Sequence, residues 1–540
     1  MAKGHNWRRW LPAMLLGGLV LAACGTGGDS RRGGATEPSP DGPRTIKVAQ
    51  VTDIVTLDPA DIGDVQSGVV AEHILESLVR RDDDGQPVAA LAESWETSPD
   101  GLTWTFHLRQ GVVFHDGAPL TADVVVWNYN RVLQDPDAPQ RFKKQWTSIV
   151  EKVEAQGDDR VVFTLKAPNS AFLDLILLSN AGMVVSKANF EKLGQKDAAL
   201  HPAGTGPFML ERYVPGQEVV LKKNPDYWGE PARPDFLIFR PIAESNTQVI
   251  ELETGGIHIA TKLGLEDLDR LTANPAVKVE SVPAYQVRYV EFNTQRPPLD
   301  DIRVRKAINY ALDVPTIVQS LVGKMGVLSG SAVLPLASWG HPQDGSLGPY
   351  PYDPQKARQL LAEAGWTPGP SGVLQKDGQP LKLKFIVPNG RYFADKEMAE
   401  VMKKSLTDLG IQVDLQVMEW APFLDASDAG DFDLCLVGWN QGGPDPSLFL
   451  DALVKTGGRA NDARNSDPEI DGWLEAAVYT ANLEERQMYY RKVLEKVQDL
   501  AWYVPLYNEN KLAGLRTEVR GYVHTPAHTR YTYVYLGEGR

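Results

Sequence analysis

Stretches of the chain in which apolar and polar residues alternate predict a set of half-buried β-strands. In TWTFHL, for example, Trp104, Phe106 and Leu108 fall on one face of an extended chain, and the polar residues between them fall on the other. The same two-residue period occurs in four segments, residues 103–108, 161–165, 381–387 and 411–417. We therefore expect these segments to form strands with one face towards a core.

Apolar residues that are spaced three and four positions apart predict helices between these strands. One such face is formed by Val304, Ala307, Ile308, Ala311 and Leu312. Another helix is marked at its start by Asp353 and Pro354, which are typical of a helix cap and a first turn. The same helix is expected to end at Gly365, because glycine readily adopts the left-handed conformation that closes a helix.

The order of the elements in the second half of the chain indicates the fold class. A helix over residues 395–409 leads directly into the strand over residues 411–417. Residues 432–439 then form a strand that is apolar on both faces from Leu434 onward, which is typical of a strand with helices on both sides. The sequence therefore predicts an α/β fold, in which helices cover a sheet.

The beginning of the chain differs in composition from the rest. Basic residues precede a short apolar run, which predicts a secretory signal peptide over residues 1–23. The run ends in LAAC, which resembles the bacterial lipobox, so Cys24 is expected to carry a lipid. Residues 24–44 are rich in Gly, Pro and polar residues and predict a flexible tether. We expect an exported protein, held by lipid at the outer face of the cell membrane or in the periplasm.

Charge and cysteine content limit the possible partners. The formal net charge is −15, and the body of the chain has no cluster of Lys and Arg, which argues against a nucleic-acid partner. The second cysteine, Cys435, lies in the apolar strand of residues 432–439. A disulfide between this strand and a lipid-bearing Cys24 is not expected, so the fold must depend on its core.

The sequence lacks the motifs of the common catalytic and metal sites. It contains no nucleophile elbow, no phosphate-binding loop and no H-E-x-x-H motif. His524 and His528 are four residues apart, but Pro526 between them prevents a regular helical face that could hold a metal ion. We therefore predict no catalytic residue, no metal and no cofactor, and expect that the protein is not an enzyme.

One long segment and several short ones resemble a known family. Residues 91–131, LAESWETSPDGLTWTFHLRQGVVFHDGAPLTADVVVWNYNR, are similar to the signature of the extracytoplasmic solute-binding proteins of the peptide/nickel family, the receptors of ABC importers. Further blocks occur in the family's order: TLDP from Thr56, GTGPF from Gly204, NPDYW from Asn224, FNTQRPP from Phe292, DIRVRKA from Asp301 and VPLY from Val504. The resemblance implies a monomeric receptor for a small solute, whose partners are the permease and ATPase subunits of an importer.

The resemblance also implies an architecture like that of the type II periplasmic binding proteins, with two hinged α/β lobes and an extra domain. Lobe I would comprise residues 45–90, 203–295 and 506–540, the extra domain would comprise residues 91–202, and lobe III would comprise residues 296–505. A solute bound between the lobes touches both of them only when they close, so it would shift the population towards the closed form.

The turn after the strand of residues 432–439 is the predicted ligand site. Peptide receptors of this family hold the peptide ammonium with an aspartate three residues after a tryptophan. Here the tryptophan is Trp439, and Gly442 stands in the position of the aspartate. By resemblance, the expected ligand-binding residues are Trp439, Asn440, Gln441, Gly442 and Asp445, although Pro444 and Pro446 hold Asp445 in a rigid turn.

The missing aspartate affects the expected ligand. A buried ammonium group without a carboxylate partner is costly, whereas Trp439, Asn440 and Gln441 offer a flat apolar face beside neutral polar groups. This chemistry suits a neutral polar ligand such as an oligosaccharide, but an oligopeptide held along its backbone and a purely structural role for these three residues both stay open. The alternatives to a receptor are an exported hydrolase and a signalling or chaperone-like lipoprotein on the same scaffold.

Overall fold

The computed structural model describes residues 44–526 and 529–537. The predicted signal peptide, Cys24 and residues 25–43 of the predicted tether lie outside the described residues. No helix within the described ranges is long and apolar enough to cross a membrane.

A large mixed sheet forms the centre of the protein, and one long strand, Tyr503–Arg516, belongs to both of its halves. The lobe I half contains the strands Thr45–Gln50, Phe208–Val214, Glu218–Lys223, Phe236–Pro241, Ile259–Ala260 and Val277–Pro283. The lobe III half contains the strands Gln286–Phe292, Gly326–Leu328, Lys382–Pro388, Gln412–Met418 and Leu434–Asn440. Strands that the sequence predicts at residues 381–387, 411–417 and 432–439 are therefore present, with ends shifted by one or two residues.

The chain crosses between the two halves at two adjacent places. Val277–Pro283 pairs with the end of the long strand, and Gln286–Phe292 pairs with its beginning. Residues 284 and 285 form the first crossing, and the long strand itself passes from one half to the other near Glu509, whose carbonyl accepts a hydrogen bond from the Ala284 amide (2.9 Å). The lobe boundaries at residues 295 and 505 stay a prediction, and the strand Gln286–Phe292, which that prediction places in lobe I, pairs with the strand Leu434–Asn440 of the lobe III half.

The extra domain is built on a four-stranded antiparallel sheet. Its strands, in spatial order, are Ala92–Thr97, Thr103–Leu108, Arg160–Leu165 and Val150–Ala155. The helix Ala122–Leu133 packs on this sheet and is capped by Thr121, whose hydroxyl accepts a hydrogen bond from the Val124 amide. Tyr129 of this helix is buried and its ring contacts those of Trp146 and Phe163.

Most of the remaining helices cover the central sheet. In lobe III they are Ile302–Ala311, Val314–Leu321, Pro354–Glu363, Asp395–Asp408, Trp420–Asp428, Ser447–Leu453, Pro468–Tyr479 and Leu483–Asp499. In lobe I they are Val65–Ile74, Ser245–Thr254 and Leu265–Ala273. The extra domain adds Lys143–Ile149, the wide turn Leu173–Leu177, Lys187–Leu193 and Gln195–Ala198. The α/β class predicted from the sequence is confirmed.

Short strands and turns complete the fold around the sheets. They are Glu76–Ser77 with Met183–Val184, Val79–Arg81 with Pro87–Ala89, Thr367–Pro368 with Leu374–Lys376 and Gln379–Pro380, Val519–Arg520 with Tyr535–Leu536, Val523–His524 with Thr529–Arg530, and the helical turns Asn180–Gly182 and Gly323–Met325. Arg81, at the end of the first strand in the hairpin of residues 79–89, lies against a turn of lobe III.

A buried ion pair joins the first loop of lobe I to the extra domain. The two terminal nitrogens of Arg131 donate to the two carboxylate oxygens of Asp58, at 3.2 and 2.6 Å. Only 3% of the Asp58 side chain and 5% of the Arg131 side chain are exposed. The Arg131 guanidinium also lies 4.0 Å from the ring centre of Phe190, so it contacts both the Asp58 carboxylate and an aromatic ring.

Candidate functional site

A cavity of about 650 Å³ opens between lobe I, the extra domain and the Gly442 turn of lobe III. The charged residues on its wall have both signs, and they come from separate parts of the chain. The basic ones include Arg80, Arg81, Arg109 and Arg530, and the acidic ones are Glu72, Glu76 and Glu230. A polar cavity of this size is suited to a small charged molecule.

The carboxylate of Glu76 holds one aromatic wall of this cavity in place. It accepts hydrogen bonds from the Thr205 hydroxyl, the Tyr227 hydroxyl and the Trp228 indole N–H, each at 2.8 Å. These three donors belong to the segments GTGPF and NPDYW, which resemble blocks of the family. Burial raises the pKa of Glu76, and the three hydrogen bonds oppose that rise. Its oxygens are occupied by the protein, so Glu76 supports the wall.

Arg109 lies on this wall, and of its guanidinium nitrogens only Nε has a hydrogen-bond acceptor among the described residues. Its charge lies 4.6 Å from the ring centre of Trp228, which is a cation–π distance, and its Nε donates to the Ala90 carbonyl at 3.2 Å. Within the part of the chain that the structure describes, neither Arg109 nor Arg80 has a carboxylate within ion-pair distance. Both side chains are therefore available to an anionic group in the cavity.

Glu72 supplies the opposite charge. It is the only acidic residue of the helix Val65–Ile74, and its side chain is exposed to the cavity. Surrounding protein still raises its pKa by desolvation, while the charges of Lys511, Arg530 and Arg81 lower it. No described residue forms an ion pair or a hydrogen bond with its carboxylate, so Glu72 can receive a cationic group of a ligand.

Of the predicted site residues, Gly442 lies on the cavity wall. Trp439 is half-buried, with the Arg459 guanidinium 4.7 Å from its ring centre, and its buried indole N–H has no acceptor among the described residues. The Gln441 amide donates to the Tyr285 carbonyl at 3.0 Å. The five predicted residues are neighbours in the sequence, but they do not form one continuous part of the cavity wall.

Asn440 and Asp445 have hydrogen-bond partners within lobe III and beside the crossing of the long strand. The Asn440 side-chain oxygen accepts a hydrogen bond from Arg288 (2.8 Å), and Arg288 also forms an ion pair with Glu509 (2.6 Å) beside the crossing of the long strand. The Asp445 side chain is 1% exposed and is bonded to Arg486 at 2.7 Å. Its other oxygen accepts from the Ser447 amide and hydroxyl. Asp445 is thus fully occupied where it lies.

The charged residues of the cavity wall are not among the residues predicted from the sequence. Arg109 lies in the family signature, and the sequence gives no sign that it faces a cavity. Glu72 is an exposed carboxylate on a helix, which is the ordinary environment of an acidic residue, so the sequence gives no sign of its position on the cavity either. The wall residues come from segments that lie far apart in the sequence, so their proximity depends on the fold.

Comparison with known proteins gives a consistent result. The sequence model of the bacterial extracellular solute-binding proteins, family 5 Middle, matches residues 86–461. Heme-binding protein A of Haemophilus influenzae is 30% identical over 536 residues, covering 94% of this chain and 95% of that protein. The probable di/tripeptide-binding protein 5 of Pseudomonas aeruginosa is 29% identical over 521 residues, with coverages of 91% and 92%.

A solved structure agrees with these matches. The periplasmic binding protein DppA of Helicobacter pylori, in complex with the peptide STSA, superposes with a TM-score of 0.73 and 28% identity, and the match covers 92% of this chain and 98% of DppA. The similarity extends over both lobes and the extra domain, so it concerns the whole described architecture.

Proposed function

Because the chain belongs to the bacterial extracellular solute-binding proteins of family 5, we propose that it is the receptor of an ABC importer and that it captures a short peptide. The relatives are solute-binding proteins, so the prediction that the protein is not an enzyme is confirmed. We further propose that the lobes rotate about the crossings at residues 284–285 and near Glu509, since these are the two places where the sheet passes from one lobe to the other.

The charges on the cavity wall are the observation that supports a peptide. A peptide with free ends carries an ammonium and a carboxylate group, and the wall offers Glu72 for the first and Arg80 and Arg109 for the second. A neutral oligosaccharide, which the missing aspartate at position 442 suggests, would leave these three charges without partners. In this proposal the peptide ammonium lies at Glu72, on the lobe I side, instead of at the turn that carries Gly442.

We expect free di- to pentapeptides to raise the Tm of the purified protein and N-acetylated peptides to raise it less. Replacing Glu72 by Gln removes the charge with little change in size, and should weaken peptide binding about tenfold, or by about 1.4 kcal/mol. Differential scanning fluorimetry and isothermal titration calorimetry measure the two effects. Glu211→Gln, on an exposed part of the strand Phe208–Val214, is the matched control.

One result would contradict the peptide ligand, and another would contradict the ammonium site at Glu72. The first is stabilisation by oligosaccharides, or by haem as the name of one relative suggests, with no response to free peptides. The second is equal binding of free and N-acetylated peptides, which would show that Glu72 does not receive the ammonium group and would leave a peptide held along its backbone.

We also propose that Cys24 carries a lipid which holds the receptor at the outer face of the membrane. The LAAC motif after a short apolar run supports this proposal. A tether raises the effective concentration of the receptor beside its permease, so a lipid anchor would favour their encounter. Replacing Cys24 by Ser should move most of the protein from the membrane fraction to the soluble exported fraction, as measured by immunoblotting. Unchanged membrane attachment would contradict lipidation at this residue.

A further inference from the structure

A charged pair from lobe I and the extra domain lies where a turn of lobe III touches them. Arg81, at the end of the strand Val79–Arg81, forms an ion pair with Asp174 of the turn Leu173–Leu177 at 2.5 Å. Their side chains are 8% and 11% exposed. The Nη1 atom of Arg81 also donates to the Gly85 carbonyl at 3.1 Å, whereas its Nη2 atom has no acceptor among the described residues. Both charges are thus nearly removed from water.

A second buried pair faces them from lobe III. Asp445 follows the Gly442 turn and is bonded to Arg486 of the helix Leu483–Asp499 at 2.7 Å. The Arg486 side chain is 8% exposed and its guanidinium also lies 4.9 Å from the ring centre of Trp339. This pair is held entirely within lobe III, so it keeps its geometry whether the lobes are open or closed.

The two pairs meet across the interface between the lobes. A Cβ atom at Gly443 would lie 2.3 Å from Nη2 of Arg81, and a Cβ atom at Gly85 would lie 3.2 Å from the Pro444 ring. Close by, the Ser170 amide of the extra domain donates to the Val478 carbonyl of lobe III at 2.8 Å. Burial raises the pKa of Asp174 to about 6, and the Asp445 carboxylate adds to that rise while Arg81 and Arg486 oppose it. The four charges therefore act on one another through the interface.

We propose that Arg81 and Asp174 receive the Gly442–Asp445 turn when the lobes close, and that this contact determines how closely the lobes approach. Opening would return Arg81 and Asp174 to water, whereas closing places two carboxylates and two guanidinium groups together in a buried cluster with no net charge. Buried charges are tolerated only in accurate geometry, so a slightly misplaced turn would leave a charge without its partner. The inference rests on the proposed function, because closure matters for a receptor that encloses its solute.

Gly443 has no side chain at the point of contact, and this absence provides the test. Gly443→Ala places a methyl group against Arg81 in the closed form, whereas within lobe III it meets only the end of the Leu448 side chain, at 3.2 Å, which has to shift by a few tenths of an ångström. We expect the unliganded protein to keep its Tm, and the apparent Kd for a mixture of di- to pentapeptides to rise ~10-fold or more, because the competent closed state is less populated. Gly472→Ala, on the exposed face of the helix Pro468–Tyr479 with no atom within 4 Å of the added methyl, is the control.

Closure itself can be measured with spin labels at positions 211 and 404, which are exposed on lobe I and lobe III. The labels are placed in a chain without Cys24, and the remaining Cys435 is buried. Double electron–electron resonance should show a short distance in wild type with peptides, and less of it in Gly443→Ala and in the double variant Arg81→Gln/Asp174→Asn. The double variant removes both charges but keeps the size of both side chains.

The outcomes separate this inference from the proposed ligand. If peptides bind and the short distance is equally populated in wild type and Gly443→Ala, the inference is overturned and the receptor function stands. If peptides have no effect on wild type, the ligand class is wrong, and the inference is judged by the short-distance population without peptide. A wild type that binds peptides but never shows the short distance overturns the inference and leaves the peptide ligand standing. A Gly443→Ala protein with a lowered Tm in the unliganded state also overturns the inference, because the contact would then be structural.

Discussion

Replacing Asp58 by Ala is expected to lower the free energy of unfolding by about 3–5 kcal/mol, because it leaves the charge of Arg131 buried without its partner. The two side chains are almost completely buried and form two hydrogen bonds. Asp58 also accepts a hydrogen bond from the Ala60 amide at 3.1 Å, so its loss affects the loop as well as the pair. Urea-induced unfolding of wild type and variant, followed by circular dichroism, measures the difference.

Two controls separate burial from charge. Asp235 forms an ion pair with Arg44 in which 59% of the arginine and 35% of the aspartate side chain are exposed, so Asp235→Ala should cost less than about 1 kcal/mol. The double variant Asp58→Ala/Arg131→Met removes both charges and should recover part of the loss, because no unpaired charge remains. A single-variant loss as small as that of Asp235→Ala would show that the Asp58–Arg131 pair contributes little to stability.

Lowering the pH from 7 to 4.5 is expected to destabilise the protein by about 2.5 kcal/mol through His73 alone, as the difference between a pKa of about 4 in the folded protein and about 6.5 in the unfolded chain requires. Burial lowers the pKa of His73, whose Nδ1 donates to the Val69 carbonyl and whose Nε2 accepts from the Tyr531 amide. The neutral ring is therefore the folded form. This contribution is present above pH 6.5 and is lost as the pH falls, because the unfolded chain takes up the proton first.

The measurement compares wild type with His73→Gln at both pH values. The substituted side chain does not titrate, so the variant should lose about 2.5 kcal/mol less than wild type over the same range, whatever its stability at pH 7. Carboxylates elsewhere change protonation in both proteins and cancel in the comparison. Equal losses in the two proteins would show that His73 is not held neutral by burial.

Much of the fold follows from local sequence signals. Asp353 caps the helix that the sequence predicts after it, because a short polar side chain can reach the free amides of a first turn, and Thr121 caps the helix Ala122–Leu133 in the same way. Strands with regular alternation, such as Thr103–Leu108, are present where they are predicted. These features depend on residues that are near one another in the chain, which is why the sequence suffices for them.

The crossings between the lobes depend on contacts that no local pattern contains. Residues 277–283 and 286–292 have similar strand patterns, and what assigns them to different lobes is their pairing with opposite ends of the strand Tyr503–Arg516. The same limit applies to the site. The position of Gly442 could be found by resemblance, whereas the proximity of Glu72 and Arg109 to one cavity depends on the packing of distant segments. The ligand roles of Trp439, Asn440, Gln441 and Asp445 stay predictions.

The long strand Tyr503–Arg516 lies inside both halves of the central sheet, yet it is synthesised after all the other strands of that sheet. Until it emerges, the strands Val277–Pro283 and Gln286–Phe292 each lack a neighbour, and both lobes have an unpaired strand edge. Neither lobe can therefore finish folding on its own while the chain is being made or exported. Completion of both lobes therefore depends on the same strand, and a chain that stops before residue 503 would lack the strand that the two halves of the sheet share.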